Sequence, residues 1–184
     1  VNYYHNFIAY RLDRKTGTNS CKRRLFTRIP ERNALFFEGV IMRLGIIGAG
    51  RVGASFVLAF PSDVEGILCS TEEHTRQMAR RLHAAAYTDG AELARHCDVL
   101  LLTVRDDALA PVSRELAASL TGDALPPQTC IFHCSGAMDL SPLEPLSRLR
   151  YPVGSLHPLQ SFAEPSADRL KGIYMAVDGD ERAK

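Results

Sequence analysis

The stretch Met42–Phe60, MRLGIIGAGRVGASFVLAF, constrains what this chain can fold into more than any other. Arg43 to Ile47 is a short apolar run of strand type, Gly48-Ala49-Gly50-Arg51-Val52-Gly53 follows, and Ala54–Phe60 is helical in character. A G-x-G-x-x-G turn between a strand and a helix is the arrangement that receives a dinucleotide's pyrophosphate. Gly48 permits the tight turn, Gly50 lets the backbone approach the phosphates, and Gly53 lets the helix pack closely on the strand. The helix N-terminus adds free N–H groups and the positive end of its dipole. Glycine-rich βα turns are common, so the hexapeptide draws its weight from its place between the two elements.

The same alternation continues downstream. Val64–Cys69 reads as a second strand and Thr71–His83 as a helix with Met78 and Leu82 on one face. Ala84–Tyr87 reads as a short third strand and Ala91–Cys97 as a short helix. Asp98–Val104 is a continuous apolar run, as expected of a central parallel strand buried on both faces. Leu109, Val112, Leu116 and Leu120 recur at helical spacing, with Asp106 or Asp107 as the expected cap. Gly122–Gln128 is a loop, and Thr129–Cys134, Val153–Leu156 and Gly172–Val177 are three further strands. Strands and helices in alternation with short connections predict an α/β, doubly wound, mainly parallel sheet over residues 42–184.

Residues 1–41 differ in kind. They hold eight Lys/Arg against three Asp/Glu, a net +5, whereas the remaining 14 basic and 18 acidic residues leave −4. No apolar or periodic pattern runs through the block, and it lacks the apolar core of a secretory signal. Three readings compete: upstream sequence joined ahead of a true start at Met42, an organellar transit peptide, or a basic arm for nucleic acid. The first is preferred, because a nucleotide fingerprint opening two residues after a methionine is where such chains begin. A poorly ordered, irregular basic extension is therefore expected, with no nucleic-acid partner. The 184 residues, 46% hydrophobic and 23% charged, fit one globular domain. No apolar run approaches the ~20 residues of a membrane span. The five cysteines are an odd number without a C-x-x-C pair, which points to reduced thiols and a cytoplasmic location.

The identity of the dinucleotide turns on the end of the second strand, where NAD sites place a carboxylate about 20 residues beyond the glycines. Here Ser70 stands 22 positions after Gly48, followed by Thr71, and Asp63 and Glu65 lie at the wrong end of the strand. A hydroxyl there removes a charge that would repel a 2′-phosphate, so NADP is preferred to NAD, and FAD is less suitable than either. Two readings qualify this. Ser70-x-x-Glu73 is also a capping box for the next helix, and Glu72 turned back toward the ribose restores NAD. Arg76 is a candidate phosphate ligand or a solvated helix residue.

Two dense motifs fall at later strand ends: FHCSGAM (Phe132–Met138) and GSLHPLQSF (Gly154–Phe162). Strand carboxyl ends line the ligand crevice of a doubly wound sheet. His133 and His157 are candidate proton donors or acceptors there, and Ser135, Gln160 and Ser161 candidate holders of a substrate oxygen. The plainer alternative gives His133 a neighbouring carbonyl to bond and Pro158 a turn to fix. A metal set of Cys130, His133, Cys134 and His157 is disfavoured, since both cysteines fall on the opposite strand face from His133. His5, His74, His83 and His96 read as surface residues. Cys134-Ser135-Gly136 lacks the G-x-S-x-G frame of a serine nucleophile elbow, and the spacing to Gly53 disfavours a methyltransferase.

Four motifs in order, IGAGRVG (Ile47–Gly53), TVRDDAL (Thr103–Leu109), HCSGA (His133–Ala137) and GSLHPLQSF, resemble the bacterial "Rossmann-like and domain of unknown function 2520" proteins. That group is similar to pyrroline-5-carboxylate reductase, prephenate dehydrogenase and deazaflavin-dependent NADP oxidoreductases, within the 6-phosphogluconate-dehydrogenase-like superfamily. The resemblance implies a Rossmann domain in which Gly48, Gly50, Arg51, Val52 and Gly53 hold the pyrophosphate and Ser70 and Thr71 the adenosine ribose. It puts Val104, Asp106 and Ser135 near the nicotinamide, and His157 near substrate. Arg105 stands where the group has a proline. Relatives continue into a helical domain that forms a homodimer and closes the pocket; the chain is expected to lack it. The implied activity is an NADP-dependent reductase or dehydrogenase acting on a small carbonyl or imine. A non-catalytic dinucleotide-binding module is the alternative.

Overall fold

Leu44–Ile47 is too apolar to face water on either side, and it is fully buried in the sheet between two parallel neighbours. The computed structural model describes residues 42–120, 129–180 and Ala183, together with the backbone of 7–9, 24–28, 36–37 and 40–41. The elements begin with β1 (Phe7–Ala9), β2 (Arg24–Arg28), β3 (Phe36–Phe37), β4 (Val40–Ile41), β5 (Leu44–Ile47) and α1 (Arg51–Ala59). β6 (Val64–Leu68), α2 (Glu72–Leu82), α3 (Gly90–His96), β7 (Val99–Leu102) and α4 (Asp106–Ser119) follow. The chain continues through β8 (Cys130–His133), α5 (Glu144–Arg148), β9 (Val153–Pro158) and β10 (Tyr174–Gly179).

The main sheet runs β1-β2-β10-β9-β8-β7-β5-β6. β6, β5, β7, β8 and β9 are parallel, while β10 joins β9 antiparallel and β2 and β1 extend that edge antiparallel. The N-terminal extension, which shows no pattern in sequence, thus supplies two edge strands. β3 and β4 form a separate antiparallel pair.

Side-chain alternation sorts the core into two layers. Leu44, Ile46, Ile67, Leu101 and Phe132 face α1 and α2, meeting Ala54, Phe56, Val57 and Ala79. Ile47, Leu100, Leu102, Ile131 and Val153 face the other way, against Leu93 of α3, Leu109 and Leu116 of α4, and Leu146 of α5. Helices on both faces of a mostly parallel sheet make the doubly wound α/β architecture expected from the alternation. Among the described residues no helix is long and apolar enough to cross a membrane.

Local chemistry departs from expectation in three places. Thr71, not Ser70, caps α2, its Oγ1 accepting from the His74 N–H at 3.2 Å. Neither Asp106 nor Asp107 caps α4: the N-cap is Arg105, and the Asp107 carboxylate is taken by the Arg105 guanidinium. Ala84–Tyr87 makes only a single parallel bridge, Ala86 to Ile67, because three small alanines give it nothing to pack. The loop expected at Gly122–Gln128 lies outside the described residues, as does His5.

Candidate functional site

Strand register builds the site. Leu68, Ile47, Leu102, His133 and Ser155 pair across neighbouring strands in one continuous row. The segments carrying Gly48, Ser70, Thr103 and Val104, and Ser135 therefore leave the sheet at the carboxyl ends of their strands, where His157, still in β9 opposite Ala176, stands two residues beyond Ser155.

At its centre Gly48 adopts φ +98°, a left-handed conformation that glycine alone takes without strain. A Cβ there would also lie 2.8 Å from Val104 Cγ1. The Gly48 N–H donates to the Leu68 carbonyl at 2.7 Å, and the Thr103 hydroxyl donates to the Gly48 carbonyl at 2.6 Å, so both flanking strands fix the turn. At Gly53 a Cβ would overlap the Gly48 carbonyl and the Thr103 hydroxyl, which places α1 directly on the turn. Gly50 is different: a Cβ on it would meet nothing within 4 Å. Its bare backbone faces open space. α1 begins at Arg51 with no capping side chain and no acid in its first turn, so its N-terminal N–H groups keep their attraction for an anion.

That turn opens into a cavity of about 810 Å³, lined among others by Gly48, Gly50, Ser70, Thr71 and Val104. Five of the nine expected cofactor residues thus share one wall-to-wall space. Arg51, Val52 and Gly53 stand beside it in the first turn of α1, and Asp106 is exposed at the start of α4, between Arg105 and Asp107, which do line the cavity. The apolar floor comes from Ile47, Leu68, Val112 and Leu116. The size and the mixture of apolar floor with polar rim suit an adenine nucleotide. His74, expected to be a plain surface residue, is exposed but also lines the cavity mouth. Asp89 lines it as well, and caps α3 by accepting the Ala91 N–H at 2.8 Å. The signal for Asp89 was present as an Asp-Gly pair ahead of the Ala91 helix.

The second cluster lies farther along the same edge. His133 is fully buried. Its Nδ1 accepts the Ser135 N–H at 3.2 Å, and its Nε2–H donates to the Asp139 carbonyl at 3.0 Å. Both nitrogens are committed to backbone, and burial holds the imidazole below its usual pKa. These bonds match the plainer alternative: His133 shapes the Cys134–Asp139 loop, with both ring nitrogens engaged. Ser135 Oγ accepts from the Ala137 and Met138 N–H groups at 3.2 and 3.1 Å, leaving its hydroxyl proton for another acceptor. His157 Nδ1 lies 3.0 Å from the Cys134 carbonyl, which can only accept, so Nδ1 carries a proton and Nε2 is the free nitrogen. A Cβ on Gly136 would stand 2.5 Å from that Nε2, so this glycine makes room for the ring. Ser135, Gly136, Ser155, His157 and Asp178 surround a recess of about 20 Å³, room for one water molecule. Cys130 and Cys134 pack on the α1 side of the sheet, with Phe132, on the opposite face from His133.

Residues 20–158 match the Rossmann-like domain family. The chain belongs to that family. No curated protein matches it. Among solved structures it is similar to a protein of Bacteroides fragilis described as an NADP oxidoreductase (TM-score 0.56, 20% identity, 77% of this chain and 54% of that one). It is likewise similar to Synechocystis arogenate dehydrogenase (0.56, 17%, 78% and 52%) and to Coxiella burnetii pyrroline-5-carboxylate reductase (0.52, 14%, 65% and 44%). At these identities the likeness is one of fold. The Rossmann-like chain spans about half the length of these proteins.

Proposed function

We propose that this chain is the nucleotide-binding half of an oxidoreductase that uses NADP and acts on a small carbonyl or imine. One observation carries the reading: the Gly48–Gly53 turn opens, with the uncapped end of α1, onto a cavity large enough for an adenine nucleotide. The solved proteins of like fold include one described as an NADP oxidoreductase and a pyrroline-5-carboxylate reductase, which supports the same class.

When bound, the nicotinamide ring supplies or accepts hydride. The protein's part is to bind, orient and move a proton. The Gly48–Gly50 backbone and the first N–H groups of α1 receive the pyrophosphate. Ser70 faces the ribose without a carboxylate, and the nearest acid, Glu72, is held in an ion pair with Arg76. That disposition favours a 2′-phosphate. Val104 and Ser135 flank the nicotinamide end. His157 Nε2 is the group that gives or takes the proton, kept in one tautomer by the Cys134 carbonyl; His133 acts as a positioning residue for the Ser135 loop. On this reading the chain sits with the domain-of-unknown-function-2520 proteins and works in the cytoplasm, and a homodimer forms only where a C-terminal helical domain accompanies it.

A second reading, a dinucleotide-binding module without turnover, draws on the 20 Å³ recess, which is too small for a carbonyl substrate. Isothermal titration of the chain with NADPH and NADH tests the common ground: micromolar binding of at least one is expected, and no heat at millimolar nucleotide removes both readings. NADPH oxidation against a panel of carbonyls and imines then separates them.

A further inference from the structure

Beyond the turn and the strand-two hydroxyl, the cavity poses an electrostatic problem. A 2′-phosphate carries close to two negative charges at neutral pH. Four carboxylates line the cavity: Glu72, Asp89, Asp107 and Glu115. Three of them are engaged locally: Glu72 by Arg76, Asp89 by the Ala91 N–H and Asp107 by Arg105. Arg76 does not reach the cavity itself; with Ala79, Arg80 and His83 it borders a separate shallow groove along α2. Among the described residues, Arg105 is the one Lys or Arg that lines the cavity.

Arg105 is also well placed and free to move. It follows β7, whose end lies on one side of β5, while Ser70 follows β6 on the other. Two strand spacings separate those ends, about 10 Å, a gap that an extended arginine and a phosphate together can span. The guanidinium is 83% exposed and, among the described residues, is held by Asp107 alone, two residues away, with Nε donating to Oδ1 at 3.0 Å. An exposed pair of this kind is worth little and exchanges easily. A phosphate offers the same fork of oxygens with more charge.

The geometry points to Arg105 as the cationic ligand of the cofactor's 2′-phosphate, held by Asp107 in the free protein and transferred to the phosphate on binding. The inference rests on the dinucleotide reading above and adds the residue that selects NADP over NAD.

Titration calorimetry with NADP⁺ and NAD⁺, which differ only in the 2′-phosphate, tests it on the whole chain. Wild type is expected to prefer NADP⁺. R105A is expected to weaken NADP⁺ by about tenfold or more, in line with loss of a charge-assisted bond, and to leave NAD⁺ within about twofold. R105K, which keeps the charge but not the fork, is expected to fall between. D107N, which frees the guanidinium, is expected to tighten NADP⁺ and not NAD⁺. Equal loss of both ligands in R105A overturns the proposal, as does no loss of either. Wild-type binding of NAD⁺ without preference for NADP⁺ overturns it too, yet leaves the dinucleotide reading intact. Failure of both ligands to bind wild type overturns that reading, and this proposal with it.

Discussion

Gly50 and Gly53 sit three residues apart and answer to different demands. A methyl group on Gly53 runs into the Gly48 carbonyl and the Thr103 hydroxyl, so α1 must move off the turn. A methyl group on Gly50 meets nothing within 4 Å of the protein, and on the proposed function it enters the space of the pyrophosphate. Gly53→Ala is therefore expected to destabilise the fold by about 1–3 kcal/mol. Gly50→Ala is expected to cost under about 1 kcal/mol while weakening nucleotide binding by about tenfold or more. Denaturant unfolding and calorimetry on both variants check the split. His133 makes a different kind of prediction. Burial holds its pKa below the ordinary 6.5, so the unfolded chain binds the extra proton first. Stability is then full above about pH 6.5 and is lost as pH falls from there toward the folded-state value. His133→Gln cannot titrate, and its melting temperature is expected to drop less than wild type's between about pH 7 and pH 5. An equal drop would mean that His133 is not the group responsible.

At the scale of elements, the proposed cofactor preference can be tested at the start of α2 as well as at Arg105. Thr71 caps the helix and Ser70, one residue earlier, is left exposed at the cavity rim. Ser70→Asp puts a carboxylate there, near the positive end of α2, where it is tolerated and where it repels a 2′-phosphate and accepts from ribose hydroxyls. The ratio of NADPH to NADH affinity is expected to fall by about tenfold or more, one charge-assisted contact reversed; an unchanged ratio takes Ser70 out of the site. The element boundaries themselves were largely legible, because β5 and β7 are short, nearly continuous apolar runs and the Leu109–Leu116 face repeats at helical spacing. The caps were not. Ser70-x-x-Glu73 and Thr71-x-x-His74 are offset by one residue, and the choice between them depends on where the chain leaves β6: the Cys69 N–H donates to Thr75 Oγ1 at 2.9 Å and fixes that exit. The short α5, with its Glu-Pro start, gave no periodic signal at all.

Over the whole molecule, the two ends of the crevice are joined through Ser55. Its hydroxyl, fully buried in α1, donates to the Arg51 carbonyl at 2.7 Å and accepts the Ser166 N–H at 2.9 Å. The segment after His157 is thereby fastened to the helix that follows the glycine turn. Ser55→Ala leaves that N–H without its partner, and a cost of about 1–3 kcal/mol is expected, with faster hydrogen exchange at Ser166; unchanged exchange there would show that the tether contributes nothing. No pattern in the sequence marks this bond, which spans 111 positions. The same division holds across the protein. The glycine turn, the alternation of strands and helices and the hydroxyl in place of an acid at Ser70 can be read along the chain, because spacing and residue type are local properties. Which side chains meet is settled by packing: His133 spends both ring nitrogens on backbone, His157 turns Nδ1 to the Cys134 carbonyl, and Arg105 shares a cavity with Ser70. Those outcomes depend on strand order and register, which are set by packing two helical layers onto one sheet and leave no trace in any short stretch of sequence.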